Sequence, residues 1–158
     1  MPATLEGISK LLMKDDINYY YVASEQHFLV PFHDGPNIYI KLLDDGEALL
    51  MSSDPLSDLR ELSGAERMAS LTRLMELNDQ ITLGRYVGSD TVRAEVAIGL
   101  TKSKLTRGQF RQHFSALMSL VRVALSHFPS TTLAQADLAP ELTAALEKLK
   151  SRFDPSDN

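Results

Sequence analysis

The stretch TVRAEVAIGL at 91–100, running through TKSK into LTRGQF at 105–110, decides the fold. Val92, Ala94, Val96, Ile98 and Leu100 alternate with Thr91, Arg93, Glu95, Ala97 and Gly99, the two-residue period of a strand with one buried face. Gly88-Ser89-Asp90 supplies the turn back to an earlier strand around Ile81, Leu83, Tyr86 and Val87. Thr106-Arg107-Gly108-Gln109 is a capping box, and Leu105 with Phe110 forms a hydrophobic staple. The helix opened there carries Phe110, Phe114, Leu117, Val121, Ala124, Leu125 and Phe128 on one stripe. A second stripe, Ala116, Leu120 and Val123, runs beside it to His127 and broadens the apolar arc.

Upstream, Thr4 caps a helix over 5–14 that faces inward with Leu5, Ile8, Leu11 and Leu12. Ile17 to Val22 and His27 to Phe32 read as two strands, or as one broken near Ser24-Glu25-Gln26. Pro31 cannot donate to a ladder, which predicts a sheet edge or a bend at that point. His33-Asp34-Gly35-Pro36 is a turn. Asn37 to Leu43 and Glu47 to Ser52 form a hairpin around Asp44-Asp45-Gly46, and 54–62 is irregular or a short helical turn. Ser63-Gly64-Ala65-Glu66 is a second capping box, opening a helix that should bury Met68, Leu71, Leu74, Met75 and Leu77 and end near Asn78.

Residues 1–128 thus form one domain, 129–139 a linker, 140–153 a C-terminal helix opened by Pro140, and 154–158 a frayed tail. Leu142, Leu146, Leu149 and Phe153 make one stripe of that last helix. Strands joined by short hairpins are antiparallel. The class is therefore α+β: an antiparallel sheet of about five strands with flanking helices, in the order α-βββ-α-ββ-α plus a C-terminal helix.

Composition excludes more chemistry than it suggests. With no cysteine among 158 residues there is no disulfide, thiolate nucleophile or Cys-ligated metal. No apolar run approaches the roughly 20 residues that span a bilayer, and no signal peptide is evident, so a cytoplasmic protein without membrane association is expected. Residues 1–80 hold 14 acids against 6 bases, and 81–158 hold 7 against 10. Arg93, Lys102, Lys104, Arg107 and Arg111 gather near the ribbon and helix start, too sparsely for a nucleic-acid footprint. His33-Asp34 is the most suggestive polar pair, since a carboxylate can orient an imidazole, but a Gly/Pro turn is the favoured account of it. His113 and His127 stand about 21 Å apart along one helix and cannot share a metal. No catalytic residue, cofactor or metal site is expected.

Apolar surplus is the remaining signal. Leu29 lies opposite Phe28 and Val30 on its strand, and Leu49 and Met51 lie opposite Ala48 and Leu50. Strands apolar on both sides need a cover on both faces, from the C-terminal helix or from another chain. Leu29, Leu49, Met51, Ala116, Leu120, Val123, Leu142, Leu146 and Leu149 are therefore the candidate partner or dimer surface.

Element order over roughly 5–128 resembles the YbjN family, itself similar in fold to type III secretion chaperones. The residues that carry the resemblance are the strand block ending at Ser52, Leu77-Asn78, Gly84-Arg85-Tyr86 and the Val92–Leu100 strand with its Thr106 cap. It implies a small α+β domain, often homodimeric, that binds protein partners and has no catalytic residues. The expected function is a non-enzymatic, chaperone- or adaptor-like regulatory module holding a partner protein segment on the apolar surface of a homodimer. The alternatives are a small-ligand sensor or enzyme using His33 and Asp34, or a regulator contacting nucleic acid through the basic 93–111 region.

Overall fold

The computed structural model describes residues 3–33, 35–100 and 104–128. The expected linker, the C-terminal helix with Leu142, Leu146 and Leu149, the tail, Asp34 and Lys102 lie outside the described residues. Chain order is α1 (Leu5–Lys14), β1 (Tyr20–Val22), β2 (His27–Val30), β3 (Ile38–Leu43), β4 (Ala48–Ser53), β5 (Ser57–Asp58), α2 (Gly64–Gln80), β6 (Arg85–Val87), β7 (Thr91–Gly99) and α3 (Arg107–His127).

All strand pairs are antiparallel, as hairpin connections require. The sheet runs β1-β2-β3-β4-β7, with β6 on the far side of β7 and the two-residue β5 pairing with the start of β7. Seven strands replace the expected five or so, because the N-terminal block is cut in two by a turn and Ser57-Asp58 joins β7. That last pairing is between residues more than thirty apart and has no local signature.

The long strand behaves as its alternation demands. Val92, Ala94, Val96, Ile98 and Leu100 are all buried. They share a core face with Phe28, Ile40, Leu49 and Met51, since Met51 stands opposite Val96 and Leu49 opposite Ile98. Ile8 and Leu12 of α1, Leu74 and Leu77 of α2, and Phe110, Leu117, Val121 and Ala124 of α3 close over that face. Both capping boxes are present, Ser63 with Glu66 and Thr106 with Gln109, each satisfying helix-start amides reciprocally. The Asp44-Asp45-Gly46 turn places all three residues at positive φ (50°, 53° and 92°), the two aspartates being among the few residues that accept it.

Three burial expectations change. Met68 and Met75 of α2 are 65% and 69% exposed, so that helix buries only Leu74 and Leu77, with Leu71 at the margin. Resting on the sheet rim by β6, it presents a narrow stripe rather than a broad one. Leu125 of α3 is 44% exposed, and Leu120 takes its place inside. The cause is Gly84, at φ +85°, where a Cβ would stand 2.7 Å from the Glu95 carbonyl oxygen and 2.8 Å from Leu120 Cδ1. Its missing side chain lets α3 settle against the β6 end, where the Tyr86 hydroxyl donates to the Leu120 carbonyl at 2.5 Å. Gly84→Ala adds backbone strain and this clash together, and should cost about 2–4 kcal/mol in urea unfolding, well beyond a surface glycine.

Candidate partner-binding surface

Most residues expected to form a partner surface lie inside the protomer. Leu49 and Met51 are fully buried on the helix-covered face, because the register directs them to Ile98 and Val96, and the outward residues of β4 are Ala48, Leu50 and Ser52. Leu29 is also fully buried, with Val22 and Tyr39, on the opposite face of the sheet. Leu120 is core, Ala116 is half-buried, and Val123 is the exposed member of its stripe. One-residue parity fixes such assignments only once the partner strand is known.

The surface has other openings. At the β6 rim the Asn78 side chain donates to the Tyr86 carbonyl (3.0 Å) and accepts from the Tyr86 amide (2.7 Å). One carboxamide so imitates a neighbouring strand and closes that edge. The β1 edge has no such guard among the described residues, and Tyr20 and Tyr21 are both exposed on it.

Next to that edge is a cleft of about 250 Å³, lined by Asp16, Ile17, Asn18, Val30, Pro31, Phe32, His33 and Phe114. The register explains it. Tyr20 pairs with Leu29, so continuing the ladder would set Asn18 against Pro31, which has no N–H to give. Pairing stops, the two segments part, and Phe114 of α3 floors the gap, stacked on Phe110 at 5.8 Å. Pro31 therefore marks the end of a strand lying between two others, not an edge strand. His33 is exposed at the cleft rim.

Charges near the cleft are partly consumed. Arg107 and Arg111 both bind Asp15, at 2.6 and 2.8 Å, joining the end of α1 to the start of α3. Hydrogen bonding from Arg111, then Arg107, holds the Asp15 carboxyl below the ordinary range, against a desolvation that pushes it up. Arg85 pairs with Glu95. Arg93 and Lys104 are exposed. Two of the basic residues named in the nucleic-acid alternative, Arg107 and Arg111, are thus committed within the fold.

The face away from the helices carries a polar network. Asp54 accepts from the Asn37 amide and side chain (both 2.9 Å) and from the Tyr39 hydroxyl (2.6 Å). Burial, reinforced by that carboxylate, drives the Tyr39 phenol far above its ordinary range. The His27 ring meets Tyr39 edge-on at 5.3 Å, with Nδ1 3.4 Å from Glu25. Desolvation lowers the His27 pKa; Glu25 opposes this and Lys41 adds to it. Because the folded pKa lies below the unfolded value of about 6.5, the unfolded state takes up more protons as pH falls through that value. Stability attributable to His27 is complete above it and declines below it. Urea unfolding at pH 8 and pH 5 should show this loss, and His27→Gln should reduce the difference.

Among the described residues no group of three or more His, Asp or Glu is placed to hold a metal, and no helix is long and apolar enough to cross a membrane.

No protein-family model matches the sequence, and no curated protein matches it. Solved structures do. YbjN of E. coli, a candidate transcription regulator, superposes with a TM-score of 0.61 at 14% identity, covering 78% of this chain and 90% of that one. The ExsC chain of an ExsC–ExsE complex gives 0.56 at 18% identity, covering 82% and 98%. The Yersinia pestis type III secretion chaperone SycH, solved with a fragment of YscM2, gives 0.52 at 14%, covering 75% and 94%. The chain has the α+β fold of YbjN and the type III secretion chaperones.

Proposed function

We propose that this protein is a non-enzymatic, chaperone- or adaptor-like binding module that holds an extended segment of a partner protein and works as a homodimer. The observation that carries the reading is the shared fold, since ExsC and SycH were each solved in complex with another polypeptide. The open β1 edge and the adjoining cleft suit the same task. An added strand gains main-chain hydrogen bonds along Tyr20–Val22, and an apolar side chain of that strand enters between Ile17, Phe32 and Phe114. The asymmetry of the sheet favours one edge, because Asn78 occupies the other.

Dimerisation is assigned to α2. Met68 and Met75 are seven residues apart on one helical face, both well exposed, with half-buried Leu71 beside them. Methionine side chains, unbranched and polarizable, adapt their shape to a partner. A cytoplasmic setting and a regulatory role are part of the same reading. A small-ligand sensor is the second reading, favoured by the position of His33 at the cleft rim.

Immobilised protein should retain a reproducible polypeptide from its native cell extract, and Phe32→Glu should release it while leaving the circular dichroism unchanged. Failure of the unaltered protein to retain any polypeptide would overturn the module. Independently, light scattering should give twice the chain mass, reduced to one chain mass by Met68→Glu with Met75→Glu; a monomer from the outset would remove the homodimer.

A further inference from the structure

The sheet face turned away from α1, α2 and α3 has its own apolar cluster. Val22 and Leu29 are buried there with Tyr39 packed against them, and no side chain of the three helices belongs to the group. Leu50 of β4 is half-buried on the same face, opposite Lys41 in the register. Two polar atoms of that face are buried without a hydrogen-bond partner, His27 Nε2 and Asn37 Oδ1, on residues only 7% and 4% exposed. A bare sheet face would leave a leucine wet and such atoms hydrated. Burial of this kind calls for a cover over the face.

We infer that residues 140–153 of the same chain form that cover, an amphipathic helix laid on the second face with Leu142, Leu146 and Leu149 toward Val22, Leu29 and Leu50. Chain geometry allows it. Phe128, at the end of α3, is buried and meets Tyr86 of β6 at 6.2 Å, so the chain leaves α3 at the β6 rim. The segment 129–139 reaches up to roughly 36 Å when extended. Five strand spacings separate β6 from β1, about 24 Å. A helix over 140–153 is about 21 Å long, close to the sheet's width. Side-chain chemistry agrees too. The leucines recur at the four- and three-residue steps of one helical face, and Lys150, at the flank of that face, brings N–H donors of the kind Asn37 Oδ1 lacks.

The cover is independent of the partner reading. It removes the second face from the surfaces open to partners and leaves the β1 edge, the cleft and α2.

Because the chain has no cysteine, cross-linking tests it cleanly. Leu50→Cys is combined in the full-length protein with Leu142→Cys, Leu146→Cys or Leu149→Cys in turn and treated with a short bis-maleimide. At least one pair should give an intrachain adduct of single-chain mass, and Lys148→Cys, on the outer side of the helix, should not. Adducts only between two chains would overturn the inference by making a second copy the cover, and absence of any adduct would overturn it as well. As a second measurement, Leu142→Glu with Leu146→Glu should speed amide exchange in β1–β3 at least tenfold and leave β7 unchanged. Unchanged exchange in β1–β3 would count against the cover.

Discussion

Strand β7 organises this molecule, because every other layer is attached to it. One edge carries β4 and β5, the other carries β6, and α3 lies across its apolar face. A strand so engaged has to alternate strictly. One misplaced polar residue among Val92, Ala94, Val96, Ile98 and Leu100 would sit against Phe110, Leu117 or Val121 with nothing to bond to.

Around that strand the two rims of the sheet are treated differently. The β6 rim is closed by a carboxamide from α2, by the Tyr86 hydroxyl on α3 and by the close approach that Gly84 permits. The β1 rim ends at a proline that stops the ladder, with tyrosines at its outer edge and an aromatic-floored cleft beside it. Unpaired strand edges are costly to leave exposed, since they invite unwanted pairing. Among the described residues, one edge of the sheet is guarded and the other, β1, has no strand or side chain closing it.

The residues singled out for partner contact illustrate what apolar patterning can and cannot show. Apolar character on both sides of β2 and β4 was legible. Which leucine faces the helices was not. Leu49 and Met51 went to the helix side because β4 pairs with β7 in one register and not the neighbouring one. Met68 and Met75 looked like core at helical spacing, yet α2 sits on a rim, where only part of an apolar arc finds a partner. The end of β2 had a hint in Pro31, but the cleft needs Phe114, brought from 83 positions further along the chain.

By itself the sequence determined those features whose causes are local: both capping boxes, the α1, α2 and α3 helices, the hairpin at Asp44-Asp45-Gly46 and the alternating strand. Each depends on residues within a few positions of one another, so periodicity and capping chemistry suffice to read it. Tertiary structure alone decided the pairing of Ser57-Asp58 with β7, the inward turn of Leu120 and the guard placed by Asn78. Those outcomes follow from strand register and from how closely α3 approaches Gly84, and both are set by contacts between segments far apart in the chain.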